Sequence, residues 1–126
     1  MYLIKGGTSS DSSICTLEYQ SKMRIILSQM RLQFSNLRCH LYEKQCISSP
    51  LCLCGEANES VSHYFYNCTK FTTARLQFHR ELFITLRLNQ ISPLEHFLHG
   101  DPQRTPEENR KLIQLVCAYI KDTNRF

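Results

Sequence analysis

Three cysteines and one histidine fall within 17 residues, in the order Cys52-x-Cys54-Gly55-x7-His63-x4-Cys68. Thiolate sulfur and imidazole nitrogen are soft enough for zinc, and three thiolates with one imidazole fill a tetrahedron. A CCHC set leaves no position open for water, so its chemistry is structural, not hydrolytic. Cys52 and Cys54 are close enough for one tight turn to aim both sulfurs at an ion, and Gly55 follows where a left-handed backbone angle costs least. The competing interpretation makes the cysteines small buried apolar residues and His63 a surface histidine. The compactness of the set favours Zn2+ as the cofactor, and no export signal argues for disulfides. Cys15, Cys39, Cys46 and Cys117 read as plain thiols, with Cys46, six residues before Cys52, the spare that competes most closely.

Helices must position these residues. Asn58, Glu59 and Ser60 read as a loop ending in a cap, with Ser60 at the N-cap and a short helix from Val61 carrying His63. Cys68 lies about 140° off the His63 face of an α-helix. The helix is therefore expected to stop near Asn67, a tolerable left-handed residue, so that Cys68 swings back to the ion. Upstream, Ser21 caps a helix from Lys22 whose apolar stripe is Met23, Ile26, Leu27, Met30 and Phe34. Ser35-Asn36 reads as a break and recap, after which Leu37 and Leu41 continue the stripe to about Lys44. Downstream, Phe71, Ala74, Phe78, Leu82 and Leu86 predict an amphipathic helix ending near Asn89, with His79 exposed.

Ser92-Pro93-Leu94-Glu95 and Thr105-Pro106-Glu107-Glu108 both read as capped helix starts with proline at the first helical position. The first of these helices stops at Gly100. The second has Asn109, Leu112, Leu115, Val116, Tyr119 and Ile120 on its packing face. His96 and His99 are three apart on the shorter helix, with no cysteine or carboxylate partner nearby for a metal. No segment alternates at period two. The expected fold class is all-α, a small helical domain organised around a CCHC zinc knuckle. Residues 1–20 read as a flexible N-terminal stub, 21–89 as helices flanking the zinc-binding segment, and 90–126 as a C-terminal helical segment packed on the same domain.

At Met30-Arg31-Leu32, Leu37, His40-Leu41, Ser49-Pro50-Leu51-Cys52, Cys54-Gly55, Glu59, His63, Phe65, Cys68 and Arg75 the chain resembles a known family. It looks like the C-terminal zinc-binding segment of non-LTR (LINE-like) retrotransposon reverse transcriptase polyproteins. The resemblance covers about residues 22–126, including the closing IKDTNRF, and is most specific at the metal motif. The family often has proline after the last cysteine, where this chain has Thr69. The resemblance implies a role in gripping template RNA or target DNA beside a polymerase. It also implies that an upstream polymerase or RNase H domain is a partner and that this chain is a terminal piece without the catalytic parts.

The net charge of +4 is unevenly placed. Lys22, Arg24, Arg31, Arg38 and Lys44 face Glu43 alone over 22–44, and Lys70, Arg75, Arg80 and Arg87 face Glu81 alone over 70–87. These segments carry +4 and +3, while the cysteine segment between them carries only Glu56 and Glu59. Basic helices on both sides of a metal knuckle suit a phosphate backbone. Arg24, Arg31 and Arg38, spaced by seven on one flank, join Lys70 and Arg75 as candidate nucleic-acid-binding residues making weak, nonspecific contact with RNA or DNA. The plainer alternative is a solvated flank whose stems cover the core edge. Tyr64, Phe65 or Tyr66 could stack on an unpaired base if exposed, with Phe65 the one expected in the core.

The chain has four glycines and no phosphate-cradling loop, no Ser-His-Asp context, no H-E-x-x-H and scattered acids. It is expected to be neither an enzyme nor a binder of small-molecule substrates. No apolar run approaches the length of a membrane span. Seven cysteines without an export signal point to an intracellular location, nucleus or cytoplasm. The alternative function is a structural or docking module for a missing polymerase or RNase H domain, which would leave apolar stripes exposed.

Overall fold

The computed structural model describes residues 21–87 and 93–126. The flexible stub, the Asn89 helix end and the Ser92 cap expected from the sequence lie outside the described residues. Among the described residues the chain is helical, with a single isolated antiparallel bridge between Leu51 and Asn58 and no strand. This agrees with the all-α expectation. No helix among them is long and apolar enough to cross a membrane.

Helix α1 covers 21–31 and buries Met23, Ile26, Leu27 and Met30. It ends because Gln33 takes a left-handed φ of 61° and donates its N–H to the Met30 carbonyl. That turn corrects the expected stripe. Phe34 leaves the core face and is 65% exposed, with the Lys44 ammonium 3.8 Å above its ring. It also separates Arg38 from Arg24 and Arg31, so the three arginines do not share one continuous helix flank.

Helix α2, Arg38–Glu43, has Leu37 at its N-cap with no side-chain cap of its own. Ser35 supplies part of the recap: its hydroxyl accepts the Leu37 N–H at 3.2 Å and pairs with His40 Nδ1 at 2.6 Å. After the cysteine segment come α3, Thr72–Leu86, α4, Leu94–His99, and α5, Pro106–Thr123. Helix α3 ends at Leu86, where Arg87 adopts a left-handed cap at φ 56°. Pro93 occupies the N-cap of α4, one position earlier than expected, because its ψ of 147° is still extended. Gly100 ends α4 at φ 90°, and a Cβ there would stand 3.2 Å from Asn109 Oδ1. Asn109 uses that contact to accept the Asp101 N–H at 2.8 Å, joining the end of α4 to α5. Thr105 and Glu108 cap α5 reciprocally, with Pro106 in its first turn.

Helix α5 lies along α3, and a cluster of rings fills the space beside them. Phe78 meets Phe97 and Tyr119 at centroid distances of 5.1 Å, and Phe65 meets the same two rings at 5.5 Å. Edge and offset contacts of this kind add to the apolar area already buried. The ring cluster therefore begins at the residues that carry His63, and the cysteine segment is anchored directly in the core.

Candidate metal centre

The cysteine loop is a narrow reversal of the chain. Cys52 donates its N–H to the Ala57 carbonyl at 2.8 Å, and Gly55 donates to the Cys52 carbonyl at 2.9 Å. Gly55 sits at φ 82°, the left-handed conformation that needs glycine here. Ser60 Oγ accepts the His63 N–H at 3.0 Å, so Ser60 caps the next turn as expected.

The helix ends at Asn67 as expected and Cys68 is extended, at φ −66° and ψ 123°, but Asn67 is not left-handed. Residues His63–Asn67 form a π-helical turn, closed by the Cys68 N–H on the His63 carbonyl at 2.9 Å. Widening the turn to an i→i+5 bond reduces the angular offset of about 140° that an ordinary α-turn would leave between residues 63 and 68. Tyr119 supports it by donating its hydroxyl to the Tyr64 carbonyl at 2.6 Å. Tyr64 and Phe65 are fully buried and Tyr66 is half-buried, so Tyr64 is a core ring and not an exposed stacking platform.

These two pieces bring Cys52, Cys54, His63 and Cys68 together. Their donor atoms all lie within 4.8 Å of one another, and the set could hold a metal ion. Cys52 Sγ is 3.7 Å from Cys68 Sγ, and Cys54 Sγ is 3.3 Å from His63 Nε2. Cys46 is exposed, and its thiol donates to the Lys44 carbonyl at 3.8 Å. The Glu56 N–H, 3.5 Å from Cys54 Sγ, is the main cause holding that thiol below its ordinary pKa. Burial acts in the opposite direction on Cys68 and pushes it up to about 12. An incoming ion would therefore have to displace a proton from Cys68.

Glu59, between the two halves of the cluster, is 3% exposed. Its carboxylate accepts two bonds from the Arg125 guanidinium and the Arg38 N–H at 2.8 Å. Its carbonyl accepts the Cys39 N–H at 3.1 Å. Glu59 thus caps α2 from 21 residues away. Burial pushes its carboxyl up, but the Arg125 and Arg38 hydrogen bonds and the Arg125 charge outweigh this and hold it below the usual range. Neither role was read from the sequence. The available signal was an acid beside Ser60 with no base nearby in the chain.

The five cations singled out in the sequence are placed differently from one another. Arg24 and Lys70 are exposed. Arg31 donates to the Leu98 carbonyl, tying α1 to α4. Arg38 donates to the carbonyls of Leu51 at 2.6 Å and Ser49 at 3.3 Å. Arg75 donates to the Cys68 carbonyl at 2.9 Å, while its Nη1 is buried without a hydrogen-bond partner. Arg38 and Arg75 therefore hold the backbone on the two sides of the cluster. His79, expected at the surface, is half-buried with Nε2 unpartnered, and burial lowers its pKa. His96 lies 3.8 Å from Asp101, and among the described residues neither it nor His99 joins a metal-binding group. Comparison of the chain with protein-family models, curated proteins and solved structures finds no match in any of the three.

Proposed function

We propose that the chain is a zinc-stabilised module that binds RNA or DNA weakly and without sequence preference, and has no catalytic role of its own. The observation that carries the metal half is the convergence of four soft donors within 4.8 Å. Tetrahedral zinc with bonds of about 2.3 Å separates two thiolates by about 3.8 Å. The Cys52 and Cys68 sulfurs already stand 3.7 Å apart. Three thiolates and an imidazole complete the coordination shell and leave no open position, which makes the ion a staple.

The nucleic-acid half is supported by charge. The segments on either side of the cysteine loop carry +4 and +3, and Arg38 and Arg75 connect both to the loop's backbone. A guanidinium that donates to a carbonyl keeps its charge and still attracts phosphate at a distance. The resemblance to the zinc-binding end of LINE-like polyproteins points the same way, with an upstream polymerase or RNase H domain as neighbour. Fluorescence anisotropy with labelled single strands across a salt series tests this. Binding should be micromolar or weaker and fade above about 200 mM salt, with log affinity falling by about 0.7 per phosphate contact. No binding at low salt would refute it.

A docking module for such a domain is the second reading, favoured by the exposure of Leu32, Phe34 and Leu53 at 70%, 65% and 73%. Salt separates the two, because apolar docking does not weaken as salt rises.

A further inference from the structure

The outer face of α3 carries Leu76, Arg80 and Phe83 in one stripe, and Arg87 continues it just past the helix end. At about 100° per residue the three helical positions fall in a sector about 60° wide, roughly 130° round the helix from the buried Phe78, Leu82 and Leu86. Leu76 is 65% exposed and Phe83 48%, and both arginines are exposed. Among the described residues no carboxylate pairs with Arg80 or Arg87. The acid of this helix, Glu81, lies on another face and accepts a bond from Gln77 at 3.0 Å. An aromatic ring thus stands between two unpaired guanidinium groups whose backbones are about 10 Å apart along the axis.

Resting on the nucleic-acid reading above, we infer that this stripe is the surface along which a single strand lies. Phe83 stacks on a base, and Arg80 and Arg87 fork onto phosphates to either side. A bare ring accepts the face of any base, and a guanidinium matches phosphate oxygens in pairs. Those two chemistries fit a nucleotide chain better than an acidic peptide, which would satisfy the arginines but not the ring. The position is also free in a way three of the five sequence candidates are not, since Arg31, Arg38 and Arg75 are already bonded to carbonyls. Arg75 in the first turn of the same helix and Lys70 in the short turn just ahead of it extend the positive field toward the cysteine cluster.

The test is anisotropy of labelled oligo(dT) and oligo(U) on the full metal-loaded chain, with polyglutamate as competitor. Phe83→Ala should weaken binding roughly 5- to 100-fold, and Phe83→Tyr should restore it. The double variant Arg80→Gln, Arg87→Gln should lower the salt slope by about 1.4, the equivalent of two single-strand contacts. The charge-matched control Arg110→Gln, Lys111→Gln, on exposed positions of α5, should leave the slope nearly unchanged. Circular dichroism and metal content confirm that each variant folds. If the control loses as much as the α3 pair, or the α3 variants bind like the parent, the stripe is overturned while nucleic-acid binding stands. Displacement by polyglutamate at equal charge overturns it in favour of an acidic partner. A parent chain that binds neither oligonucleotide overturns the nucleic-acid reading itself.

Discussion

Glu59 and Arg125, 66 residues apart, meet fork to fork: Nε stands 2.7 Å from Oε2 and Nη2 2.7 Å from Oε1. The same guanidinium reaches the Asn36 carbonyl at 2.9 Å. One arginine near the end of the chain therefore fixes the middle of the cysteine segment and the approach to α2 together. Phe126 adds an edge contact to Tyr64, the residue after His63, at 5.6 Å.

Removing the arginine leaves a buried carboxylate with only a backbone donor. Arg125→Ala should cost about 2–4 kcal/mol, toward the lower end of the range for breaking a buried pair because Arg125 is partly exposed. Arg125→Lys should recover only part, since an ammonium cannot make the forked contact. Urea unfolding of the three proteins at equal metal content checks this. Equal midpoints would mean that the pair contributes nothing measurable.

The same pair sets a pH dependence. Glu59 is held below the usual carboxylate range in the folded protein. A depressed carboxyl stabilises the fold above its unfolded value, about 4.3, and that contribution is lost as pH falls through the lower folded value. The stability gap between the parent and Glu59→Gln should be widest near neutral pH and should narrow from about pH 5 downward. Comparing the two proteins at matched metal content separates this from protonation of the cysteine cluster. A gap that stays constant down to about pH 3 would rule Glu59 out as the titrating group.

Metal removal should loosen the chain unevenly. Read from the sequence, the middle of the chain has little apolar material. The structure instead buries Tyr64 and Phe65 completely in the ring cluster of Phe78, Phe97 and Tyr119. The turn bearing His63 should therefore stay anchored when a chelator takes the ion, while the loop bearing Cys52 and Cys54 opens. Hydrogen exchange should show lost protection at the amides of Cys52, Gly55 and Glu59 and retained protection at Leu112, Val116 and Ile120. Before the chelator is added the protein should hold one zinc per chain by elemental analysis, and Cys54→Ser should lower it. Uniform loss of protection across α3 and α5 would show that the ion supports the whole fold.

What could be read in advance was local. The Thr105–Glu108 cap, the left-handed glycines 55 and 100, and the four clustered donors are each specified by neighbours a few residues apart. Features set by distant partners could not be read that way. Glu59 caps α2 across 21 residues and pairs across 66. Phe34 continues the apolar spacing of α1, yet the left-handed Gln33 turns it outward, and glutamine gives no warning of that conformation. The five-residue spacing of His63 and Cys68 leaves them about 140° apart on an ordinary α-turn, and the π-turn reduces that offset. The spacing exposed the conflict, and Tyr119 on the Tyr64 carbonyl supplies support from another helix.

Arg24 and Arg38 look alike in sequence, and the structure separates them. Arg24 is exposed on α1, whereas Arg38 donates to the Leu51 and Ser49 carbonyls just ahead of Cys52. Those bonds set the entry of the cysteine loop, and partners that orient metal ligands typically account for 10- to 100-fold in affinity. Because Arg38 acts on the backbone and not on a ligand atom, the lower end applies. Arg38→Gln should weaken zinc retention about tenfold in chelator competition, and Arg24→Gln should leave it unchanged. The salt dependence of nucleic-acid binding should respond the other way round. Arg24→Gln lowers the slope by about 0.7 if that side chain meets a phosphate. Arg38→Gln lowers affinity through a loosened cysteine loop, so excess zinc restores its binding. Zinc retention equal to the parent's in Arg38→Gln would show that the two carbonyl bonds do not govern the loop. Arg38 would then return to the phosphate-contacting role that its charge alone suggests.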